Sequence, residues 1–323
     1  MVRFLLRRVL QGIAIILTVA TLTFALIHAA PGEPFGALLE DPRFSLEMRD
    51  QLRARYGLDR PLSEQYVRYI AKMARGDLDI SLSRQRPVRT ILAEALPRTL
   101  LLMTAAIGVG FALGIALGAL QAAREGSLLD RIFVRITVTL AAVPDFWLAL
   151  ALMLVFAVKL RWFPVTGMVD DAMHPYLSPL GKLRDIARHL VLPASSLALL
   201  VTAVVARHQR AAVLEVLPED YVRTARAKGL SERVIVMRHA LRNALLPTIT
   251  LFGLALPSLV GGAVFIESVF SWPGMGRTAI DALSARDYPL VLGTVLVGSV
   301  FVVVGSIVTD LLYVAAEPRL RRA

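Results

Sequence analysis

Asp145 is the first residue whose type and setting suggest chemistry, because it follows Pro144 inside a long, mostly apolar run. An isolated acid in hydrocarbon is expensive and tends to mark a route for polar cargo. It could line such a route or bind an amino group. It could equally sit at a helix break and reach water, and the residues alone leave both readings open. Glu267 and Asp310 lie near the ends of apolar runs and read as interfacial. The histidines His28, His174, His189, His208 and His239 are scattered, with no i, i+4 pair and no carboxylate cluster at ligand spacing, and the chain has no cysteine. Neither a metal centre nor another cofactor is expected. A GxxxxGK(S/T) phosphate loop, an HExxH pair and a nucleophile beside a base are all missing, which argues against nucleotide binding and against a membrane-embedded enzyme.

The densest polar constellation runs Glu219-Asp220-Tyr221-Val222-Arg223-Thr224-Ala225-Arg226-Ala227-Lys228-Gly229-Leu230, then Ser231-Glu232-Arg233 and a second helical stretch to Pro247. Acids at the first helix's start and Lys228 at its end suit the helix dipole. Gly229 can supply a positive φ, and Ser231 can cap the second helix. The pattern predicts helix, glycine turn, helix. Small residues at Thr224, Ala225 and Ala227 keep the first helix narrow, which suits a cleft on another protein. A basic connector lying on lipid headgroups is the plainer alternative.

The elements that must position these residues are apolar. The 323 residues are 56% hydrophobic, with mean hydropathy +0.62, and include several stretches long enough to span a bilayer. Six spans are the economical division: Val9 to Ala30, Thr99 to Leu120, Ile132 to Val158, His189 to Ala206, Leu245 to Ile266 and Pro289 to Ala316. The first is too long for a secretory signal and reads as an uncleaved span. The net charge of +11 is expected from basic residues kept on the cytoplasmic side rather than from nucleic-acid binding. Lys and Arg totals are nearly equal on the two sides, but they are denser in the inner segments, so both termini are placed inside. In the second span Gly110, Gly114 and Gly118 recur every fourth residue and predict a close interhelical contact.

Residues 31–97 carry local helix signals: Ser45 with Glu47 in a first turn, a stop at Gly57-Leu58, and a second start at Pro61 with Leu62, Tyr66, Ile70 and Met73 along one face. Two short amphipathic helices are expected, either as an outer cap for a delivery protein or as scaffold packed on the spans. Pro31-Gly32-Glu33-Pro34 reads as a rigid turn at the membrane exit.

The 219–247 segment resembles the coupling segment, named after Glu-Ala-Ala, of type I permeases of ATP-binding-cassette importers, in the dipeptide/oligopeptide/nickel branch. The shared residues are Glu219 to Tyr221, Arg223 to Leu230, His239 to Ala244 and Pro247. The likeness extends to Pro31-Gly32-Glu33-Pro34, Phe146-Trp147, Phe270 to Gly276 and Asp287-Tyr288-Pro289, and so covers nearly the whole chain. Arg223-Thr224-Ala225 stands where the wider superfamily has Glu-Ala-Ala, so the ion pair of that Glu does not carry over, whereas Gly229 is retained. The superfamily's proline also lies nearer the glycine than Pro247 does.

The resemblance implies an all-α integral membrane protein of six transmembrane helices in the cell inner membrane, with the type I permease fold. It implies an N-terminal helix at 1–30, an extracytoplasmic segment at 31–97, a five-helix core at 98–316 containing the cytoplasmic loop 207–244, and a tail at 317–323. It implies two separate ATP-binding subunits, a second homologous permease, an extracytoplasmic substrate-binding protein and surrounding membrane lipid as partners. Glu219, Asp220, Tyr221, Arg223, Thr224, Ala225, Ala227, Lys228, Gly229 and Leu230 would touch an ATPase. Peptides are the preferred cargo, while nickel chelates and glutathione belong to the same branch. A secondary transporter is the rival of another class, and would show paired repeats, broken helices or intramembrane ions.

Overall fold

A computed structural model describes residues 2–29, 59–255 and 264–316, with side chains from Leu6 to Leu311 within those ranges. The architecture is helical throughout, and among the described residues the only β pairing is an isolated bridge between Ile80 and Pro87. In chain order the helices are α1 (Val2–Ala29), α2 (Leu62–Ala74), α3 (Val88–Ala123), α4 (Leu128–Ala142), α5 (Asp145–Leu152), α6 (Pro179–Val216) and α7 (Asp220–Ala227). They continue with α8 (Glu232–Val234), α9 (Leu241–Ala244), α10 (Leu246–Ala255), α11 (Val264–Val269), α12 (Met275–Ser284) and α13 (Tyr288–Ala316). Wider π-helical turns extend α5 through Met153–Lys159 and join α8 to α9 through Ile235–Ala240.

The central pair is α3 and α6, of 36 and 38 residues. At 1.5 Å per residue each is longer than about 50 Å, well beyond a hydrocarbon core of about 30 Å. Both are therefore longer than a single crossing needs. The glycine face expected in the second span lies on α6: a Cβ at Gly110 would fall 2.6 Å from Val201, one at Gly114 2.6 Å from Val205, and one at Gly118 2.5 Å from the Ala206 carbonyl oxygen. Those contacts advance together along both helices, so α3 and α6 run parallel. Backbones this close leave no room for side chains, which is why the repeat is glycine.

Two expectations about spans change. The third span is not continuous: α4 and α5 meet at 109°. Pro144 has no N–H to give and forces Val143 out of the helical region, to φ −80° and ψ 129°. The fourth is longer than expected at both ends, and the fifth is described as α10 and α11, with residues 256–263 between them outside the described range. Four described helices are long and apolar enough to cross a membrane, or five if the bent pair is one crossing. The turn at Pro31–Pro34 and the helix signals at Ser45 and Gly57 also lie outside the described residues.

The second outer helix forms as α2, with the Pro61 carbonyl accepting from the Glu64 and Gln65 amides at 2.9 and 3.1 Å. None of its side chains is fully buried, and it leans on α1 through a 2.8 Å bond between the Tyr66 and Thr21 hydroxyls and through Phe24, whose ring lies 5.4 Å from Tyr66 and 5.7 Å from Tyr69. α1 itself packs along α13, where a Cβ on Gly12 would collide with Val303 and Arg8 pairs with Asp310 at 2.8 Å.

Candidate functional site

The 219–244 segment folds as the sequence suggests. Glu219 is extended at ψ 148°, and its carbonyl accepts from Val222 and Arg223, both at 3.0 Å, to start α7. The helix closes with the Gly229 amide on the Arg226 carbonyl at 3.0 Å and the Leu230 amide on the Ala225 carbonyl at 3.4 Å. Gly229 sits at φ +77°, where only glycine is free of strain, and the space its missing Cβ would occupy is open. The glycine is thus demanded by backbone conformation and not by crowding. Ser231 precedes α8 but makes no side-chain cap. The two helices are instead clasped by a fork in which the Arg226 guanidinium donates to the two Glu232 carboxylate oxygens at 2.6 and 3.1 Å. That hydrogen-bonded pairing holds the Glu232 carboxyl below its usual range and raises Arg226.

One face of the hairpin is committed to this chain. Val222, Ala225 and Ile235 are buried against Val216 and Leu217, while Val236, Ala240 and Ala244 pack on Ala119, Ala122, Ala212 and Val213 at the ends of α3 and α6. The Tyr221 hydroxyl accepts from the Asn243 amide at 2.8 Å, and buried Gln209 donates to the Ala244 carbonyl at 3.1 Å while accepting from Thr248 at 2.6 Å. These contacts tie the hairpin to the central pair, so a displacement of α7 has a route into the spans. Nearby, the Gln121 side chain is 2% exposed, and its amide atoms have no hydrogen-bond partner among the described residues.

The other face is turned to the exterior. Glu219, Asp220, Tyr221, Arg223, Thr224, Ala227, Lys228, Gly229 and Leu230 are all exposed. Ala225 is the correction: at 5% exposure it turns inward onto the Val222–Ile235 cluster, so its small size serves packing within the hairpin. Thr224 donates its hydroxyl back to the Asp220 carbonyl at 2.9 Å, and Arg223 lies 3.6 Å from Asp220, both local contacts. Asp145 is separate from the hairpin. It is half-buried in the first turn of α5, at the 109° bend, and its carboxylate accepts from the Phe146 amide at 2.7 Å.

At the opposite end of α3 the structure assembles polar groups whose roles the sequence did not suggest. Asp287 is fully buried and accepts from the Ser81 hydroxyl at 2.5 Å, the Ser83 hydroxyl at 2.7 Å and the Ser83 amide at 2.9 Å. Burial pushes this carboxyl up, but the serine donors outweigh it and leave it below the usual range. Glu267, read from the sequence as interfacial, is fully buried within the chain, accepting from the Thr99 hydroxyl at 2.7 Å and the Arg277 amide at 2.9 Å. It anchors the first turn of α12, and a Cβ on Gly274 would strike its carboxylate. Trp272 is also fully buried and donates its indole N–H to the Arg98 carbonyl at 3.0 Å. The readable signal was Trp272-Pro273-Gly274 with Gly276: two glycines close together beside an acid that needs backbone donors.

Comparison with known proteins fits this arrangement. Residues 110–322 match the family described as binding-protein-dependent transport system inner membrane component, and residues 1–103 match the N-terminal model of the same transport-system membrane component. The chain belongs to this family of inner membrane components. Relatives of this inner membrane component include the oligopeptide transport system permease protein AppB of Bacillus subtilis, 39% identical with 99% of both chains covered. The di/tripeptide permease DppB of Pseudomonas aeruginosa is 40% identical and the glutathione permease GsiC of Escherichia coli 35% identical, again over 99% of each chain. Among solved structures, a chain of the MetNI methionine ABC transporter superposes with a TM-score of 0.53 at 20% identity, covering 72% of this chain and 98% of that one, which establishes a shared fold.

Proposed function

We propose that the chain is one permease half of an ATP-driven importer that carries peptides across the cytoplasmic membrane. It works beside a second homologous permease, two ATP-hydrolysing subunits and an extracytoplasmic binding protein. Six crossings, with both termini inside, place the 219–244 hairpin in the cytoplasm. The observation that carries this reading is the division of the hairpin into a face packed on α3 and α6 and a polar, exposed face whose described side-chain hydrogen bonds and ion pairs, apart from the Tyr221–Asn243 bond, stay within residues 219–232. The exposed residues from Glu219 to Leu230 seat in a groove of an ATPase subunit. Closure of the ATPases then swings the spans through the buried face, giving alternating access by a rigid lever. Asp145, at the bend between α4 and α5, borders the route and meets the cargo's amino end.

Peptide cargo is supported by full-length similarity to oligopeptide and di/tripeptide permeases. Glutathione, named for a relative of somewhat lower identity, is itself a small peptide and tests the breadth of the same class. ATP-driven uptake of labelled dipeptide into vesicles holding the assembled complex is the direct test. Gly229→Val, strained at φ +77° but sterically open, is expected to insert normally and to lose uptake. Wild-type uptake by that variant would overturn the coupling role, and uptake that persists without the ATPase subunits would overturn the importer.

A further inference from the structure

Where α1 ends and α13 begins, residues of these two helices and of α2 line a cleft of about 150 Å³. Its wall is apolar at Phe24, Ile27, Leu292 and Leu296 and charged at Arg68, Lys72, Asp77 and Asp79. Away from the cleft α1 is an exposed apolar helix, with Leu22 and Leu26 at 58% and 70% exposure, as suits a surface facing hydrocarbon. The Tyr66 and Tyr69 rings beside Phe24 are of the type that settles at the headgroup level. From Leu296 back to Tyr288 the lining along α13 extends about 12 Å.

The lining charges decide the occupant. Lys72 and Asp79 pair with one another at 2.8 Å. Arg68 reaches Glu64 only at 3.6 Å and is 49% exposed, and Asp77 accepts from the Asp79 amide at 3.1 Å but has no ion pair among the described residues. One under-used cation and one under-used anion therefore border the same cleft. A headgroup that is only anionic would meet Asp77 unfavourably, whereas one with both a phosphate and an ammonium would satisfy both residues. We propose that this cleft seats one aminophospholipid, its acyl chain along Ile27, Leu292 and Leu296, its phosphate on Arg68 and its ammonium on Asp77. Such a lipid would cement α2 onto α1 and α13, a junction in which α2 buries no side chain fully.

The test uses the full-length chain in nanodiscs of phosphatidylethanolamine and phosphatidylglycerol, with retained lipids counted by native mass spectrometry. The wild type is expected to keep one phosphatidylethanolamine in preference to phosphatidylglycerol. Arg68→Gln lowers that retention about fivefold, the scale of one basic contact to a headgroup. Ile27→Trp fills the apolar wall without touching the charges and lowers it similarly, so the proposal survives a folding defect in either variant. Asp77→Asn removes the preference between the two lipids. Equal retention by wild type and both cleft variants, or equal retention of the two lipids by the wild type, would overturn the proposal. The readout needs neither cargo nor ATP, so its failure is separate from failure of the importer reading.

Discussion

At the start of α3, buried Ser81, Glu267 and Asp287 take hydrogen-bond partners from distant parts of the chain, whereas at its far end α7 turns most of its polar residues to water. The first arrangement closes long loops: the Thr99–Glu267 bond spans 168 residues and the Ser81–Asp287 bond 206. The second is held by short-range apolar packing, with Val222, Ala225 and Ile235 covering one another. Buried charge satisfied on every side fixes one geometry, because any shift strands a donor or acceptor. An exposed face on a firmly rooted hairpin is suited instead to being pushed. One end is locked by buried polar contacts, the other presents an exposed face proposed as a handle, and the glycine-packed α3–α6 pair joins them.

Breaking the joint should have the largest effect. Gly118→Val places a side chain against the Ala206 carbonyl and Gln209, and is expected to cost about 3 kcal/mol or more, read as a collapse of the thermal midpoint in detergent. Gly229→Ala is the matched control in open space, limited to the left-handed backbone penalty of about 1–2 kcal/mol. Next in size, Asp287→Ala strands the Ser81 and Ser83 donors and should cost about 3 kcal/mol. Hydrogen exchange should then quicken at residues 81–83 and stay unchanged in α7, and the reverse pattern would show that the two ends are not separable.

Smaller changes sharpen the contrast at the handle. Gln121→Leu removes a buried amide with no partner among the described residues and should raise stability by about 1 kcal/mol, whereas the same change at Gln209, bonded through both its amide nitrogen and oxygen, should lower it. Thermal midpoints of the two variants decide the point. The Arg226–Glu232 fork is exposed, so Glu232→Gln is expected to cost less than about 1 kcal/mol. Because pairing depresses the folded-state value of Glu232, its contribution is complete above the ordinary glutamate range near about 4.3 and fades only as the pH falls through the depressed value. Wild type and Glu232→Gln should therefore differ by a constant amount from neutral pH down to mildly acidic pH, and converge only in stronger acid.

Much of this was legible in residue types. Apolar runs located α1, α3, α6 and α13, the four-residue glycine spacing announced a close contact, and the acid-to-lysine polarity of 219–228 marked α7. A helix break beside Pro144 was one of two readings left open at Asp145, but its size was hidden because hydropathy continues across it. Ala225 was misplaced for a different reason: a small residue in a narrow helix serves a foreign cleft or a home one equally, and only the position of Ile235 decides. Glu267 looked interfacial because hydropathy measures depth along a span. It does not record that Gly274 to Arg277 fold back to supply amide donors. Long-range closure of that kind leaves only indirect traces, here the glycines that make room for the carboxylate.

The handle is best tested by thiol labelling, since the chain has no cysteine of its own. Lys228→Cys on the exposed face and Tyr176→Cys, at a residue 87% exposed outside the hairpin, would each carry one reactive site. Labelling rates are compared in membranes with and without the ATPase subunits. Docking predicts that the subunits slow labelling at position 228 and leave position 176 unchanged. Equal labelling at position 228 in an assembled, ATP-hydrolysing complex would contradict it.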